Sequence, residues 1–304
     1  MKMGLRDIEY FAVVAEHRHV GRAAEALGLS QPALSRSLSR LEQSLDTKLF
    51  TRTPKGVELT VVGAAFLSHV QRLRLSLEDI EHEVQDLTKG RAGHLRVGAN
   101  SHANEHVLPA TIGTLLNAAP KLNLKVTVAS TDALVAALRN GQLDLIISGI
   151  FSPTGQDLVQ LHLWDDDYYV YASADHRLAA RKRLSIADVA PERWALTPDA
   201  PSALWLHRTF QDHGFAPPKL MLETSSLSLR LRVVASSNLL DFLPRISGRS
   251  APDALRLVEL RVKELAWRRP LVARYRRGAY LSPAAKLFID ILKATAREIA
   301  ARRR

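Results

Sequence analysis

The first thirty positions of the chain alternate apolar and polar residues with the period of helices. An amphipathic helix is predicted over residues 5–17, because apolar side chains recur there three or four positions apart. A second, short helix is predicted over residues 20–27. Gly28 then stops it, since glycine tolerates the left-handed backbone of a tight turn. Ser30 and Pro32 favour a new helix start, as an N-cap and a first-turn residue.

A third helix is predicted from Gln31 to about Leu45, with its leucines on one face and polar or basic side chains on the others. Glutamine and arginine pair with adenine and guanine edges, and serine bonds to base or phosphate. This arrangement is typical of a protein that inserts a helix into the major groove of DNA. The predicted base readers are Gln31, Pro32, Ser35 and Arg36, and the predicted phosphate contacts are Ser39 and Arg40. The alternative for each residue alone is a solvated helix face.

Residues 49–60 predict a two-stranded wing, with a turn formed by Thr53, Pro54, Lys55 and Gly56. Arg52 and Lys55 would then lie near the sugar-phosphate backbone. Such contacts supply affinity that does not depend on sequence and that weakens with salt.

Residues 62–87 predict one long helix without proline. Its apolar residues are spaced by threes and fours, as in a coiled-coil seam of about three heptads. The seam consists of Phe66, Val70, Leu73, Leu77, Ile80, Val84 and Leu87. We interpret it as a dimerisation surface that sets two DNA-reading heads apart on the half-sites of a dyad. The alternative is a helix packed on its own domain. Residues 89–93 are expected to end the helix in a flexible joint.

Beyond residue 93, predicted strands alternate with predicted helices, which indicates a parallel, wound α/β sheet. Strands are expected at 94–99, 124–129, 143–149, 168–173, 194–197, 220–224, 239–244, 257–263 and 268–275. Helices are expected at 104–118, 131–141, 185–189, 202–213, 225–236 and 283–300.

The segments AAEALGLSQPALSRSLSRLE (23–42) and LFTRTPKGVELTVVG (49–63) resemble the LysR-type transcriptional regulators. The resemblance implies an α/β multidomain protein. It would have an N-terminal all-α winged helix-turn-helix, a long linker helix and a C-terminal two-lobed α/β domain like the periplasmic binding proteins. The implied boundaries are 1–61 for the DNA-binding domain, 62–91 for the linker and 92–304 for the effector domain. Lobe I would hold 92–163 and 268–304, and lobe II 164–267.

A cleft between the two lobes is where the resemblance places a small-molecule effector. Ligands of parallel sheets bind at the carboxyl ends of strands, where helix N-termini favour an anion. The predicted effector-binding residues at these ends are Asn100, Ser101, His102, Ser130, Thr131, Thr197, Thr224 and Ser225. We expect a small organic acid, aromatic acids included. The alternative is that each hydroxyl only caps its own helix.

The partners implied by this interpretation are double-stranded DNA with a dyad operator, the inducer and RNA polymerase. The protein would form a homodimer or homotetramer. It would bind neither a membrane nor a cofactor. Cysteine is absent, which excludes disulfides and thiolate metal sites. No stretch is long and apolar enough to span a membrane, and the first twenty residues do not resemble a signal peptide. A cytoplasmic protein is therefore expected.

The formal charge of +11 is distributed unevenly along the chain. Residues 1–90 contain 12 basic and 12 acidic residues, whereas residues 256–304 contain 14 basic and 4 acidic ones. The predicted DNA-binding segment is therefore expected to bind through contacts with specific bases more than through overall positive charge. The basic C-terminal region has two possible interpretations. It is either a solvated helix face with an arginine tail or a set of non-specific DNA contacts.

Residues 102–106 match the H-x-x-E-H pattern of some zinc peptidases. A metallohydrolase would use His102, Glu105 and His106 around the metal ion. A solute-binding protein would need an export signal, and a dehydrogenase would need a glycine-rich loop after a strand. None of these alternatives accounts for the first sixty residues, so we predict that the protein is not an enzyme and holds no metal.

Overall fold

Two units make up the chain, Met1–Val84 and Gln85–Arg304. A computed structural model describes residues 4–89, 94–150, 155–197, 200–249 and 251–301. The predicted joint at 90–93 and the arginine tail at 302–304 lie outside these residues.

The first unit is a three-helix head followed by a hairpin and a long helix. Its helices are α1 (Leu5–His17), α2 (Val20–Ala26), α3 (Gln31–Ser44) and α4 (Val61–Lys89), and its strands are β1 (Phe50–Thr53) and β2 (Gly56–Leu59). Gly28 has a φ of 65°, which places the predicted stop of α2 in the left-handed region. The predicted helix-turn-helix and wing are therefore present. Helix α4 continues past the end of this unit into the second one.

Aromatic packing joins the first turns of α4 to the head. The ring of Phe11 is fully buried, and its centroid lies 5.0 Å from those of Phe50 and Phe66. Val70 is buried in the same core. Phe66 and Val70 therefore pack on their own domain, which is the alternative considered above for the seam.

In the second unit, three parallel strands with their helices form lobe I. These elements are β3 (His94–Ala99), α5 (Ser101–His106), α6 (Leu108–Ala118), β4 (Asn123–Val128), α7 (Thr131–Arg139) and β5 (Leu145–Gly149). The single helix expected at 104–118 is wrong, because the chain forms two helices that meet at Val107. Pro109 lies in the first turn of α6, where its missing N–H suits a helix start and not a helix interior.

Lobe II follows a long strand and ends where the chain returns to lobe I. Its elements and the returning ones are β6 (Leu158–Ser173), α8 (Ile186–Val189), β7 (Arg193–Leu196), α9 (Pro201–Asp212), β8 (Lys219–Glu223), α10 (Leu227–Ala235), β9 (Leu239–Pro244), α11 (Arg245–Arg249), β10 (Leu257–Leu260), β11 (Trp267–Arg276) and α12 (Pro283–Ala301). Trp194 and Phe210 pack edge to face in the core of lobe II, while Phe288 of α12 lies in the core of lobe I.

The expectation of a wholly parallel sheet is wrong. The strand order is β4-β3-β5-β11-β6-β9-β7-β8, with β10 also paired to β6. Strands β3, β4 and β5 are parallel, as are β7, β8 and β9. Strands β6 and β11 run antiparallel to each other and to their neighbours. These two long strands cross between the lobes, and each lobe keeps its own parallel set.

A buried ion pair lies inside lobe II. The Nε of Arg230 donates to Oδ2 of Asp241 at 2.8 Å, and the two side chains are 7% and 1% exposed. Burial raises the pKa of the Asp241 carboxyl, and Arg230 opposes that rise. Since a single buried charge is far less stable than a pair, each residue depends on the other.

Arg230→Met should lower the free energy of unfolding by about 3–5 kcal/mol, because it leaves the Asp241 charge buried without its partner. Arg230→Met combined with Asp241→Leu should recover most of that loss. Denaturant unfolding measures both effects. Arg232→Met, on the exposed face of the same helix, is the matched control and should change stability by less than about 0.5 kcal/mol. Equal losses in the single and double variants would contradict a role for the pair.

Candidate functional site

Helix α3 presents the predicted DNA-reading face to solvent. Gln31, Pro32, Arg36 and Ser39 are exposed, and Ser35 is half-buried. The opposite face contains the buried residues Leu34, Ser37, Leu38 and Leu41. The head core therefore holds the helix and leaves the predicted base readers free of it.

Arg40 is held in place by α1. Its Nη2 lies 2.5 Å from Oδ1 of Asp7, and the Oγ of Ser37 donates to the same carboxylate at 2.5 Å. Hydrogen bonding with Arg40 lowers the pKa of the Asp7 carboxyl. The Arg40 side chain is still 65% exposed. A phosphate contact by Arg40 stays a prediction. In the structure, the carboxylate of Asp7 positions the guanidinium that would make this contact.

The wing is a hairpin in which Phe50 pairs with Leu59 and Thr53 with Gly56. Arg52 and Lys55 are exposed on it, as a backbone contact requires. Gly56 has a φ of 135°, and a Cβ there would overlap the carbonyl oxygen of Arg18. The Val57 N–H donates to that same oxygen at 2.9 Å. Close backbone contact thus fixes the wing against the turn between α1 and α2.

Beyond the head, α4 carries an apolar stripe in solvent. The exposed fractions are 38% for Leu73, 42% for Leu77, 56% for Ile80 and 52% for Val84. The side chain of Leu87 lies outside the described part of the chain. Exposed apolar side chains that repeat along one face of a helix are typical of an interface.

A cavity of about 330 Å³ lies between the two lobes of the second unit. Seven of the eight predicted effector-binding residues line it, namely Asn100, Ser101, His102, Ser130, Thr131, Thr197 and Ser225. They come from the carboxyl ends of several parallel strands and from the helix starts that follow. Thr224 does not line the cavity, and its Oγ1 accepts a hydrogen bond from the Ser226 N–H at 3.2 Å.

Several cavity side chains already use their oxygen as an acceptor. Asn100 Oδ1 accepts from the Ala103 N–H at 2.9 Å, and Ser130 Oγ accepts from the Ala133 N–H at 3.4 Å. Thr197 Oγ1 accepts from Nη1 of Arg230. Asn100 and Ser130 therefore cap their own helices, as the alternative interpretation expected, and they also line the cavity. Each of these side chains still has an N–H or O–H donor that it can offer to a ligand.

A hydrogen bond at the cavity connects the start of α5 to the segment after β8. The Oγ of Ser101 donates to the carbonyl oxygen of Ser225 at 2.8 Å. Because Ser101 begins α5 in lobe I and Ser225 follows β8 in lobe II, this contact depends on how close the lobes stand.

The sequence interpretation missed several cavity residues. They are Tyr168, Ser202, Arg230, Phe242 and Ser247. The signal for Arg230 is present in α10, where helical spacing places it on the buried face with Leu227 and Leu231. Tyr168 and Phe242 form an apolar wall, with ring centroids 5.4 Å apart. Burial and the charge of Asp166 raise the pKa of Tyr168 well above its ordinary value, so the phenol stays neutral.

A second concavity of about 420 Å³ lies in lobe II beside α11 and β10. Its arginines are paired with acids, since Arg245 and Arg261 both contact Glu259 and Arg256 contacts Asp175. Because each of these arginines already contacts a carboxylate, the cleft between the lobes is the better candidate ligand site.

The H-x-x-E-H segment does not assemble a zinc site. His102 and His106 both contact Ser247, and Glu105 is exposed. Across the described ranges, no three histidine, cysteine or acidic side chains lie close enough together to hold a metal ion. No helix in those ranges is both long and apolar enough to cross a membrane.

Known proteins resemble this chain over almost its whole length. Residues 5–64 match the model for the bacterial regulatory helix-turn-helix protein, lysR family, and residues 88–297 match the LysR substrate binding domain. The HTH-type transcriptional regulator CbbR of Rhodospirillum rubrum is 28% identical over 294 residues, which are 96% of this chain and 97% of the relative.

Solved structures share the fold. Full-length OxyR C199D from Pseudomonas aeruginosa aligns with a TM-score of 0.62 and 25% identity, over 98% of this chain and 95% of that chain. Full-length CbnR complexed with its target DNA aligns with a TM-score of 0.61 and 20% identity, over 96% of this chain and 100% of that chain. The relatives are regulators and not enzymes. The chain therefore belongs to the LysR family of DNA-binding transcription regulators.

Proposed function

We propose that this protein reads a dyad DNA operator as a dimer and that a small organic acid in the interlobe cleft controls its effect on transcription. The observation that carries the proposal is that several strand ends bring seven of the eight predicted effector-binding residues to one cavity. A chain that combines such a cavity with an exposed recognition helix has the two sites that ligand-controlled transcription requires.

Sequence reading is assigned to the exposed face of α3. Gln31 and Arg36 carry the side chains best suited to adenine and guanine edges. Arg52 and Lys55 on the wing supply contacts to the phosphate backbone. Residues 1–90 have no net charge, so affinity must depend on where these few side chains lie.

Dimerisation is assigned to the exposed stripe of α4. Pairing two copies would remove Leu73, Leu77, Ile80 and Val84 from water, and burial of apolar surface is the main favourable term in such association. Two heads held at a fixed separation would then read two half-sites. Pairing of dimers into tetramers, contact with RNA polymerase and action in the cytoplasm belong to the same proposal.

The effector class follows from the donors in the cleft. Ser130, Thr197 and Asn100 accept hydrogen bonds from the protein, and each keeps an O–H or N–H donor for a ligand. The guanidinium of Arg230 also lies at the cavity wall, but its charge is already paired with Asp241 and adds no net charge to the cleft. The N-terminal ends of α7 and α10 carry partial positive charge and therefore also favour an anion. An acceptor-rich anion suits this lining, and the rings of Tyr168 and Phe242 suit an apolar or aromatic body.

Control would act through closure of the cleft. A ligand that touches both lobes favours the arrangement in which they stand close, by as much as its affinity differs between the open and closed states. Closure would change the relative placement of the heads and with it the bend of the bound DNA. An inducer that left both the footprint and the bend unchanged would contradict this mechanism.

Arg36→Ala should lower affinity for operator DNA by about 5- to 100-fold and leave affinity for random DNA nearly unchanged, because it removes a base contact. Lys55→Ala should weaken binding to operator and random DNA about equally. It should also reduce the slope of the logarithm of affinity against the logarithm of salt concentration. The operator is first selected from a random library by the purified protein, and affinities are measured by fluorescence anisotropy. Arg208→Ala, exposed on α9, serves as the control. Equal losses on both DNAs for both variants would contradict these roles.

Ile80→Glu should weaken dimerisation by roughly 100-fold or more, because it places a carboxylate in an apolar seam. Sedimentation equilibrium measures the association constant. Glu81→Gln changes the neighbouring exposed residue and should leave that constant unchanged. If Ile80→Glu associates as tightly as the unaltered chain, the α4 stripe is not an interface.

Small carboxylic acids that fit the cleft should raise the melting temperature more than their uncharged amides do. For an acid that stabilises the protein, Ser130→Ala and Thr197→Val should each weaken binding about 5- to 10-fold, since each removes a donor to a charged group. Calorimetric titration measures the affinities. Ser236→Ala, outside the cleft, is the control. Amides that bind as tightly as the acids would overturn the assignment of an anion.

A further inference from the structure

Basic side chains collect at the end of lobe II that lies opposite the cleft. Strands β7 and β8 run parallel, so both begin at this end of the lobe. Arg193 and Lys219, the first residues of the two strands, are direct neighbours there. Thr197, which follows the other end of β7, lines the cleft.

Two further basic segments are held close to these strand starts. The loop after β6 contacts Glu192, the residue before Arg193, because Arg177 donates to its carboxylate and Nε2 of His176 lies 3.5 Å from Oε2. Farther along the same loop, Leu184 forms a parallel bridge with Val262. The segments around residues 183 and 263 are thereby brought side by side.

The resulting surface, here called the basic strip, consists of residues 177–193, 212–219 and 261–264. These segments contain eight basic and four acidic residues. Three of the basic side chains are ion-paired, namely Arg177, Arg181 and Arg261. Five others are exposed, and within the part of the chain that the structure describes none of them forms an ion pair. They are Lys182, Arg183, Arg193, Lys219 and Lys263.

The basic strip lacks the apolar surface that protein partners bury. The large apolar side chains that are most exposed in lobe II are Leu204, Met221 and Leu229, and all three lie outside the strip. An interface with another protein has an apolar core and excludes charge from it. Contacts with a phosphate backbone require exposed cations and no apolar core. The strip therefore fits the backbone of duplex DNA better than it fits an acidic protein.

The distribution of charge along the chain supports the same partner. Residues 1–90 have no net charge, so the whole excess of +11 lies beyond the DNA-reading head. Helix α4 continues from the head into the second unit and so tethers that unit to any DNA that the head holds. A tether of this kind raises the effective concentration of the flanking duplex.

We propose that the basic strip of lobe II binds the phosphate backbone of duplex DNA outside the sequence that α3 reads. Each cation that contacts a phosphate releases counterions, which adds affinity without regard to base sequence. The proposal rests on operator reading by α3. It depends neither on dimerisation nor on an effector.

The test compares two duplexes that contain the selected operator. The short one ends at the outermost base pairs that the selection fixes, and the long one continues for about 20 base pairs, or two helical turns, on each side. Lys182→Gln combined with Arg183→Gln removes two exposed cations of the strip. Affinity of the full-length protein for the long duplex should fall about 10-fold, and the slope of the logarithm of affinity against that of salt concentration should fall by about 2. Affinity for the short duplex should not change.

Lys121→Gln combined with Lys125→Gln is the matched control, because it removes two exposed cations of lobe I and alters the net charge equally. Both affinities should stay the same in this control. Equal losses on the long duplex for the strip and control variants would overturn the proposal, since net charge alone would then be responsible. An equal loss on both duplexes in the strip variant would also overturn it. So would an unchanged affinity for the long duplex, which would leave the strip to an acidic protein.

Arg36→Ala keeps a failure of sequence reading distinct from a failure of this proposal. It should lower affinity for both duplexes by the same factor, so that the ratio between them is unchanged. Ethylation of single phosphates gives an independent readout. Ethylation in the flanks should weaken binding of the unaltered chain and not of the strip variant. If no flanking phosphate interferes with binding of the unaltered chain, the proposal is wrong.

Discussion

The antiparallel pairing of β6 with β11 is the contact on which the second unit depends. It runs from Trp267 opposite Tyr168 to Arg276 opposite Leu158, with one irregularity beside Leu271. Both strands leave one lobe and enter the other, so the pairing joins two parallel sheets that otherwise have separate cores. The strand ends of both lobes are thereby brought to the same cleft, and every assigned cleft residue depends on that placement.

Lobe II shows how a structural interaction and a ligand site use the same atoms. Arg230 satisfies the buried Asp241 through Nε and holds the Thr197 hydroxyl oxygen through Nη1. The first contact makes the arginine tolerable inside the lobe. The second leaves Thr197 as a donor toward the cavity. A substitution at Arg230 therefore changes folding and recognition together.

Local patterns in the sequence predicted the elements that depend on neighbouring residues. The helix-turn-helix, the left-handed Gly28 and the hydroxyls at strand ends all follow from spacing and capping. The antiparallel crossing of β6 and β11 could not be predicted in this way, because partners about a hundred positions apart leave no local period. The same reason hid Ser247, which meets His102 only after the sheet has formed.

The close fit of Gly56 against Arg18 has a consequence for the shape of the DNA that is bound. Because the wing cannot shift along the head, the distance from Lys55 to the reading face of α3 is nearly constant. DNA whose phosphates do not match that distance must deform, and the cost of deformation depends on its sequence. The operator would thus be selected in part by the width and stiffness of base pairs that no side chain touches.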